Sequence, residues 1–283
     1  MSTDVQQFKA ERLGRWSDPQ TFEVTRERAI AYARATDDDL PQHADGTFAP
    51  PVFAVVPAFA VLAPAMAEVI PGELLMRVVH GEQDFRFHKP LVPGQEVGIR
   101  VAPTSVQARS SGTTLVVTAE TRDAEGELIC EQHMTSFVRG ADAGETVGEE
   151  PPGHAFDESL RGRAPDTAVE QAFDEDQTFR YAEASGDPMP IHLDDEFARA
   201  MGLPGIIIHG LCTMAFTSRA LIGHAAAGDP TRLRRLAVRF SKPCRPGETI
   251  TTRIWDRGEG AYAFETTSSA GDVVIKDGLA EIG

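Results

Sequence analysis

Two long runs of small and apolar residues stand out from a chain that otherwise alternates between polar and apolar positions. They cover Phe53–Val69 and Leu211–Ile222. Both are apolar around nearly the whole helical circumference, which predicts helices buried on all sides. A shorter helix is predicted before each run, over Thr25–Thr36 and over Gln177–Ser185. We expect Asp176 to cap the second of these and Gly186 to end it.

The positions after the second apolar run change to a period of two. Leu236, Val238 and Phe240 alternate with Ala237 and Arg239, which predicts a strand. Three further strands with glycine-containing turns are predicted over Thr249–Trp255, Ala261–Ser268 and Val273–Ile282. A helix followed by consecutive antiparallel strands indicates the α+β class.

The chain contains this unit twice. DFRFHKPLVPGQEV, from Asp84, aligns with AVRFSKPCRPGETI, from Ala237, at an offset of 153 residues. AYARATDDDLPQH, from Ala31, aligns with RYAEASGDPMPIH, from Arg180, at an offset of 149. A repeat this long is a duplicated domain and not a solenoid motif. We predict one domain over residues 1–140, a Gly-, Pro- and acid-rich linker over 141–166, and a second domain over 167–283.

Composition narrows the possible partners. The 283 residues are 41% hydrophobic with a formal net charge of −16, which argues against a nucleic acid partner. The N-terminus lacks a secretory signal, and prolines break the longest apolar run, so no membrane association is expected. The three cysteines have no metal-ligand or disulfide spacing, which favours a reducing, cytoplasmic location.

Basic residues are concentrated in one short segment of this acidic chain. It contains Arg232, Arg234, Arg235, Arg239, Lys242 and Arg245. Arg239 and Lys242 are candidates for binding a diphosphate or an acidic carrier protein. The alternative is that the segment is the charged face of a half-buried strand.

The strongest chemical signal lies between the two helices of the second copy. Asp187 and His192 are five residues apart on a loop broken by glycine and proline. His209 and Gly210 follow at the start of the apolar helix. A carboxylate, an imidazole and a helix N-terminus together can move protons beside a developing oxyanion.

This segment resembles the MaoC-like, hydratase 2 branch of the hot-dog-fold enzymes. The matching residues are Ser185-Gly186-Asp187, Pro190-Ile191-His192, Asp194 and His209-Gly210. Met189 departs from the pattern, because the family usually has Asn there. The resemblance implies a double hot-dog, in which two tandem copies of an antiparallel sheet each wrap a long central helix.

The resemblance also implies an activity. The protein would be a hydro-lyase that interconverts (3R)-3-hydroxyacyl and trans-2-enoyl thioesters of CoA or acyl carrier protein, without a metal or other cofactor. Asp187 and His192 would exchange protons with water and C2, and the Gly210 N–H would polarise the thioester carbonyl. Ser218, with Thr217 competing for its role, would line the substrate site together with Met189 and His209. A homodimer is a further expectation.

The first copy keeps part of this pattern. Asp38 and His43 have the spacing of Asp187 and His192, but Val55-Val56 stands where the second copy has His209-Gly210. We therefore expect the first copy to shape an acyl-chain pocket and the second to perform the chemistry.

Two alternatives remain at this point. A hot-dog thioesterase would use Asp187 on the thioester carbonyl itself. A non-catalytic acyl-binding protein is the second alternative, and Met189 is the residue that suggests it.

Overall fold

The chain builds a single antiparallel sheet of ten strands within residues 8–283, the part that this computed structural model describes. The strands run in the order β1-β3-β4-β5-β2-β7-β10-β9-β8-β6. Their bounds are β1 Gln20–Glu23, β2 Val78–Phe87, β3 Glu96–Arg109, β4 Gly112–Arg122, β5 Leu128–Arg139, β6 Thr167–Ala172, β7 Leu233–Phe240, β8 Thr249–Asp256, β9 Ala261–Ser268 and β10 Val273–Ile282. Each half contributes five strands in the same order, and β2 pairs with β7 at the seam.

An approximate two-fold axis crosses this seam. Asp84 in β2 pairs with Ala237 in β7, which is its own counterpart at the repeat offset of 153. The Tyr32 and Tyr181 hydroxyls, counterparts at the offset of 149, lie 3.2 Å apart in the core. The duplicated units therefore face each other through equivalent residues.

The four predicted helices form, with two corrections, and two short α-helices that were not predicted, Pro41–Ala44 and Asp195–Ala200, are added. In chain order, the α-helices are α1 Arg26–Ala35, α2 Pro41–Ala44, α3 Phe59–Val69, α4 Gln177–Ser185, α5 Asp195–Ala200 and α6 Gly210–Ala225. Thr25 caps α1 by accepting from the Arg28 N–H. Asp176 holds the cap position of α4, but its carboxylate accepts from Arg180 instead of the helix backbone.

The second correction concerns the first central helix. Residues Pro51–Ala58 form a 3₁₀ helix, and only Phe59–Val69 is α-helical. Proline lacks the N–H that an α-helix interior requires, and Pro51 and Pro57 both lie in the 3₁₀ part. This apolar stretch is long enough to cross a membrane, but more than half of it is buried inside the protein, as in a core helix.

The sheet encloses the central helices on one face. On β7, Val238 and Leu236 are buried in the main core, whereas the Arg239 side chain is on the opposite face. That outer face is partly covered by residues 141–166, the segment predicted as the linker. Its Phe156 and Leu160 pack with Trp255 in a small separate hydrophobic cluster.

Candidate active site

A short irregular segment carries the acidic and basic groups of the site. Helix α4 ends at Gly186, whose φ of 78° is left-handed and favours glycine. The Asp187 Oδ1 atom then accepts from the Met189 N–H at 3.2 Å, which fixes the turn. Pro190–His192 forms one 3₁₀ turn, and Asp194 caps α5. The segment is thus held by local hydrogen bonds on both sides of His192.

The protonation of His192 follows from its hydrogen bond. Its Nδ1 atom lies 2.8 Å from the Ile207 carbonyl, and a carbonyl only accepts. Nδ1 therefore carries the proton, and Nε2 of the neutral ring has a free lone pair. Burial lowers the pKa of His192, although the Ile207 carbonyl and the Asp187 charge oppose this. The side chain is consequently a neutral proton acceptor near pH 7.

His209 lies behind His192 and not at the surface of the site. The two rings stack with centroids 3.7 Å apart and an angle of 24° between their planes. His209 Nε2 donates to the Asp187 carbonyl at 3.2 Å, and Nδ1 lies 3.1 Å from the Thr178 hydroxyl. Burial and the neighbouring His192 lower the pKa of His209 to about 3. This arrangement supports His192 and Asp187 and does not present His209 to substrate.

Helix α6 begins beside this pair with its amide groups unused. His209 occupies the cap position but gives no side-chain hydrogen bond to the helix. The first N–H groups of a helix have no internal partner and carry partial positive charge. A Cβ added to Gly210 would lie 3.1 Å from the Phe240 ring, so this glycine allows strand β7 to approach the helix closely.

The composition of this cluster raises the question of a metal ion. One oxygen of Asp187 and one nitrogen each of His192 and His209 lie within 4.8 Å of one another. Imidazole lone pairs lie in the ring plane, and two nearly parallel rings stacked 3.7 Å apart cannot aim both at one ion about 2 Å away. The geometry therefore suits proton transfer better than metal binding.

The other residues that the sequence singled out are dispersed. Ser218 Oγ is buried without a hydrogen-bond partner among residues 8–283, whereas Thr217 Oγ1 donates to the Thr213 carbonyl. Of these two hydroxyls, only Ser218 is therefore unused. The Met189 side chain is 48% exposed, and Lys242 is exposed on the loop after β7.

Arg239 does not join the site. It pairs with Glu82 at 2.7 Å and lies 3.5 Å from Asp277, on the sheet face away from α6. Arg239 therefore fits the alternative interpretation of the basic segment, in which these residues form the charged face of a half-buried strand.

In the first copy, the counterparts of Asp187 and His192 are bonded to each other. His43 Nδ1 is 2.7 Å from Asp38 Oδ2, and both side chains are buried. His43 Nε2 is buried without a partner. The position of Gly210 is taken by Val56 inside a 3₁₀ helix, so no α-helix begins there. The two copies thus differ in the partner of the histidine and in the helix start.

A cavity of about 720 Å³ begins next to the loop that carries Asp187 and His192. Ser185 and Gly186 form one end of it. Most of its apolar wall comes from the first copy, namely Phe22, Ala31, Ala35, Val56, Phe59 and Ala60. Ala58 does not line this cavity, because it is fully buried in the core.

Sequence reasoning missed three groups that organise the site. They are the Thr178 hydroxyl, the Ile207 carbonyl and the Phe240 ring. Thr178 left a signal, since it is a polar residue on the buried face of α4. The Ile207 carbonyl left none, because a backbone group has no sequence signature.

Comparison with known proteins gives consistent matches over both halves. Residues 157–277 match the model of the MaoC like domain, and residues 11–132 match the FAS1-like, dehydratase domain region. A relative named 3-hydroxyacyl-thioester dehydratase Y, from Mycobacterium tuberculosis, is 32% identical, over 95% of this chain and 96% of its own length. A probable enoyl-CoA hydratase 2 from Dictyostelium discoideum is 30% identical, over 77% of this chain and 80% of its own.

The fold has a similar solved structure. A MaoC-like dehydratase from Phytophthora capsici superimposes with a TM-score of 0.84 at 27% identity, covering 94% of this chain and 96% of that protein. The expected double hot-dog is thereby confirmed, with the two sheets joined edge to edge.

Proposed function

Because the chain belongs to the MaoC-like dehydratase family, we propose that it is a hydro-lyase that interconverts (3R)-3-hydroxyacyl thioesters and trans-2-enoyl thioesters. One observation carries this proposal. His192, neutral and protonated on Nδ1, lies beside Asp187 at the start of a helix that no side chain caps. These are the groups that addition of water to an enoyl thioester requires.

The geometry assigns parts of the mechanism. In the hydration direction, His192 Nε2 accepts a proton from the water that attacks C3. Asp187 and His192 together must also deliver one proton to C2. After turnover the two residues are therefore in the protonation state in which they began. Asp187 Oδ1 is engaged by the Met189 N–H, which leaves Oδ2 as the second atom of this exchange.

The start of α6 stabilises the charge that develops on substrate. When water adds at C3, negative charge moves to the thioester oxygen. Preorganised N–H donors at this position are often the largest single contribution to catalysis. The Gly210 N–H is such a donor, because no side chain caps the helix.

The cavity next to Gly186 is the binding site for the acyl chain. Its apolar wall comes from the first copy, whereas the reacting groups come from the second. This division supports one working site per chain. CoA thioesters are the substrates we propose; carrier-protein thioesters, a homodimer and a cytoplasmic location stay predictions of the sequence.

Hydration of crotonyl-CoA, followed by the loss of ultraviolet absorbance of the conjugated enoyl group, tests the function. We expect turnover and an (R)-configured product. A thiol reagent in the same reaction would detect free CoA, whose release at the rate of enoyl loss would identify a thioesterase. Binding without turnover would identify a non-catalytic protein.

A further inference from the structure

Two arginines of helix α1 border the cavity that we assign to the acyl chain. Arg28 and Arg34 both line it, and the small residue Ala31 lies between them on the helix surface. A spacing of six residues separates the two along the helix axis by about 9 Å. The guanidinium groups therefore flank the apolar wall on both sides.

Neither arginine has an anionic partner in the part of the chain that the structure describes. Arg28 lies over the Phe22 ring at 4.7 Å, and no ion pair involves Arg28 or Arg34. The carboxylate that lines the same cavity, Glu183, is not paired with either of them. Two positive charges are thus left free at the cavity.

A second cavity in the same molecule is lined by Arg219 and by Arg34 and Arg180, which also line the first. It has a volume of about 710 Å³ and lies next to Asp38 of the first copy. Two of these arginines are neutralised: Arg180 pairs with Asp37 at 3.1 Å, and Arg219 pairs with Asp39 at 2.6 Å. Among the described residues, Arg34 is unpaired where it lines both cavities, and Arg28 is unpaired at the first cavity alone.

We propose that Arg28 and Arg34 bind an anionic group of the thioester substrate. Guanidinium groups bind phosphate and carboxylate oxygens in the same two-pronged geometry. The group is therefore either a phosphate of the CoA carrier or a carboxylate at the distal end of the acyl chain. This proposal rests on the hydratase function proposed above.

Three substrates separate the two sources of the anion. Crotonyl-pantetheine has no anionic group, crotonyl-CoA has only phosphates, and a trans-2-enoyl-pantetheine with a terminal carboxylate has only the carboxylate. The variant is the double substitution Arg28→Gln and Arg34→Gln. Its control is Arg219→Gln, in the other cavity. Both arginines of the double variant are exposed, and thermal melting checks that the fold is kept.

We expect the double variant to raise KM about tenfold for one of the two anionic substrates, as loss of two partly exposed charge contacts should. Its kcat, and its KM for crotonyl-pantetheine, should match wild type. A rise for crotonyl-CoA alone identifies the phosphate, and a rise for the carboxylated substrate alone identifies the carboxylate. Equal KM changes for all three substrates, or none, would overturn the proposal.

Calorimetry separates this proposal from the hydratase function. Binding of CoA and of a saturated, carboxylated acyl-pantetheine needs no turnover. If wild type hydrates none of the substrates, the proposed function fails. Weaker binding of one of these anionic ligands to the double variant would still support the anion site, and unchanged binding of both would refute it.

Discussion

At the scale of single residues, the difference between the two copies is the partner of one imidazole nitrogen. His192 Nδ1 binds the Ile207 carbonyl, whereas His43 Nδ1 binds the Asp38 carboxylate. A carbonyl partner fixes the tautomer and leaves the nearby Asp187 carboxylate available. In the first copy, by contrast, the Asp38 carboxylate and the His43 imidazole bind each other. The same two residue types at the same spacing therefore have different chemical capacity.

The first prediction concerns the catalytic pair. Asp187→Asn and His192→Ala should each lower kcat for crotonyl-CoA by about 10²–10⁴-fold, because each removes a proton-transfer group. The double variant should be little worse than either single one, since the two act as a unit. Exposed His224→Ala, on α6, is the control and should retain full activity. A single variant with more than about a tenth of wild-type kcat would contradict the assignment.

The second prediction concerns pH and His80 of strand β2. Its ring packs edge-on against Phe240 with centroids 4.9 Å apart, and burial lowers the pKa of His80 to about 4. Between that pKa and the ordinary value of 6.5, the unfolded chain binds more protons than the folded one. The His80 contribution to stability is therefore lost as pH falls below about 6.5.

Chemical denaturation of wild type and His80→Gln at two pH values measures this effect. Going from pH 7 to pH 5, the free energy of unfolding of wild type should fall by about 1 kcal/mol more than that of the variant. The figure allows for the partial exposure of His80. Parallel profiles for the two proteins would show that His80 does not titrate in this range.

Sequence could predict Asp187, His192 and Gly210 because they lie in one continuous motif. It could not predict that His209 stacks behind His192, since this depends on how two loops meet. Arg239 illustrates the same limit. Its charge suggested a ligand contact, but Glu82 of the other copy neutralises it.

At the scale of elements, the start of α6 depends on its contact with strand β7. A side chain at position 210 would point toward Phe240, not toward the histidine pair. We expect Gly210→Ala to displace the helix start by a few tenths of an ångström and to lower kcat about tenfold, or ~1.4 kcal/mol of transition-state stabilisation. Steady-state kinetics with crotonyl-CoA gives the value.

A second substitution tests the cause. Phe240→Leu removes ring atoms that the new Cβ would meet, so the double variant Gly210→Ala/Phe240→Leu should recover most of the lost kcat. If activity instead stays low while Phe240→Leu alone is active, the glycine is needed for the approach of substrate and not for packing.

The sequence predicted strands β8, β9 and β10 of the second copy to within a residue, because one face of each strand is buried against a helix, but it did not predict β6. The first central helix was predicted less well. Its apolar composition indicates burial but not helix type, and the prolines convert its first eight residues to a 3₁₀ helix.

At the scale of the whole molecule, the proposed function gives the first copy a structural and a substrate-binding role. Asp38→Asn together with His43→Ala should leave kcat per folded molecule within about threefold of wild type, because this pair has no helix N-terminus beside it. The buried ion pair is lost, so the melting temperature should drop by several degrees. Complete loss of activity in a folded variant would mean that both copies take part in the chemistry.

The acyl cavity leads to a prediction about chain length. Ala60→Phe should reduce kcat/KM for a dodecenoyl-CoA about tenfold and leave crotonyl-CoA nearly unaffected, since the added volume meets only the distal carbons. Ala67→Phe, exposed on the same helix two turns further on, is the matched control. Equal losses for both substrates with Ala60→Phe would count against this position of the acyl chain.

The repeat in the sequence predicted two copies of one unit, and the structure agrees. What the repeat could not show is that the two sheets join through β2 and β7 into one. Edge pairing depends on register, which no local pattern of this chain specifies.

The pairing of Asp84 with Ala237 on the two-fold axis has an evolutionary consequence. In a symmetric dimer of identical single units, a residue on the axis faces its own copy, so an aspartate there would oppose another aspartate. Joining both units in one polypeptide frees the two positions to mutate independently. Here one position holds an acid that accepts from Arg235 Nε and Nη2, at 3.0 and 2.8 Å, while the other is a small, neutral alanine. A dimer made of two copies of the first half alone would place two Asp84 carboxylates opposite each other at this seam.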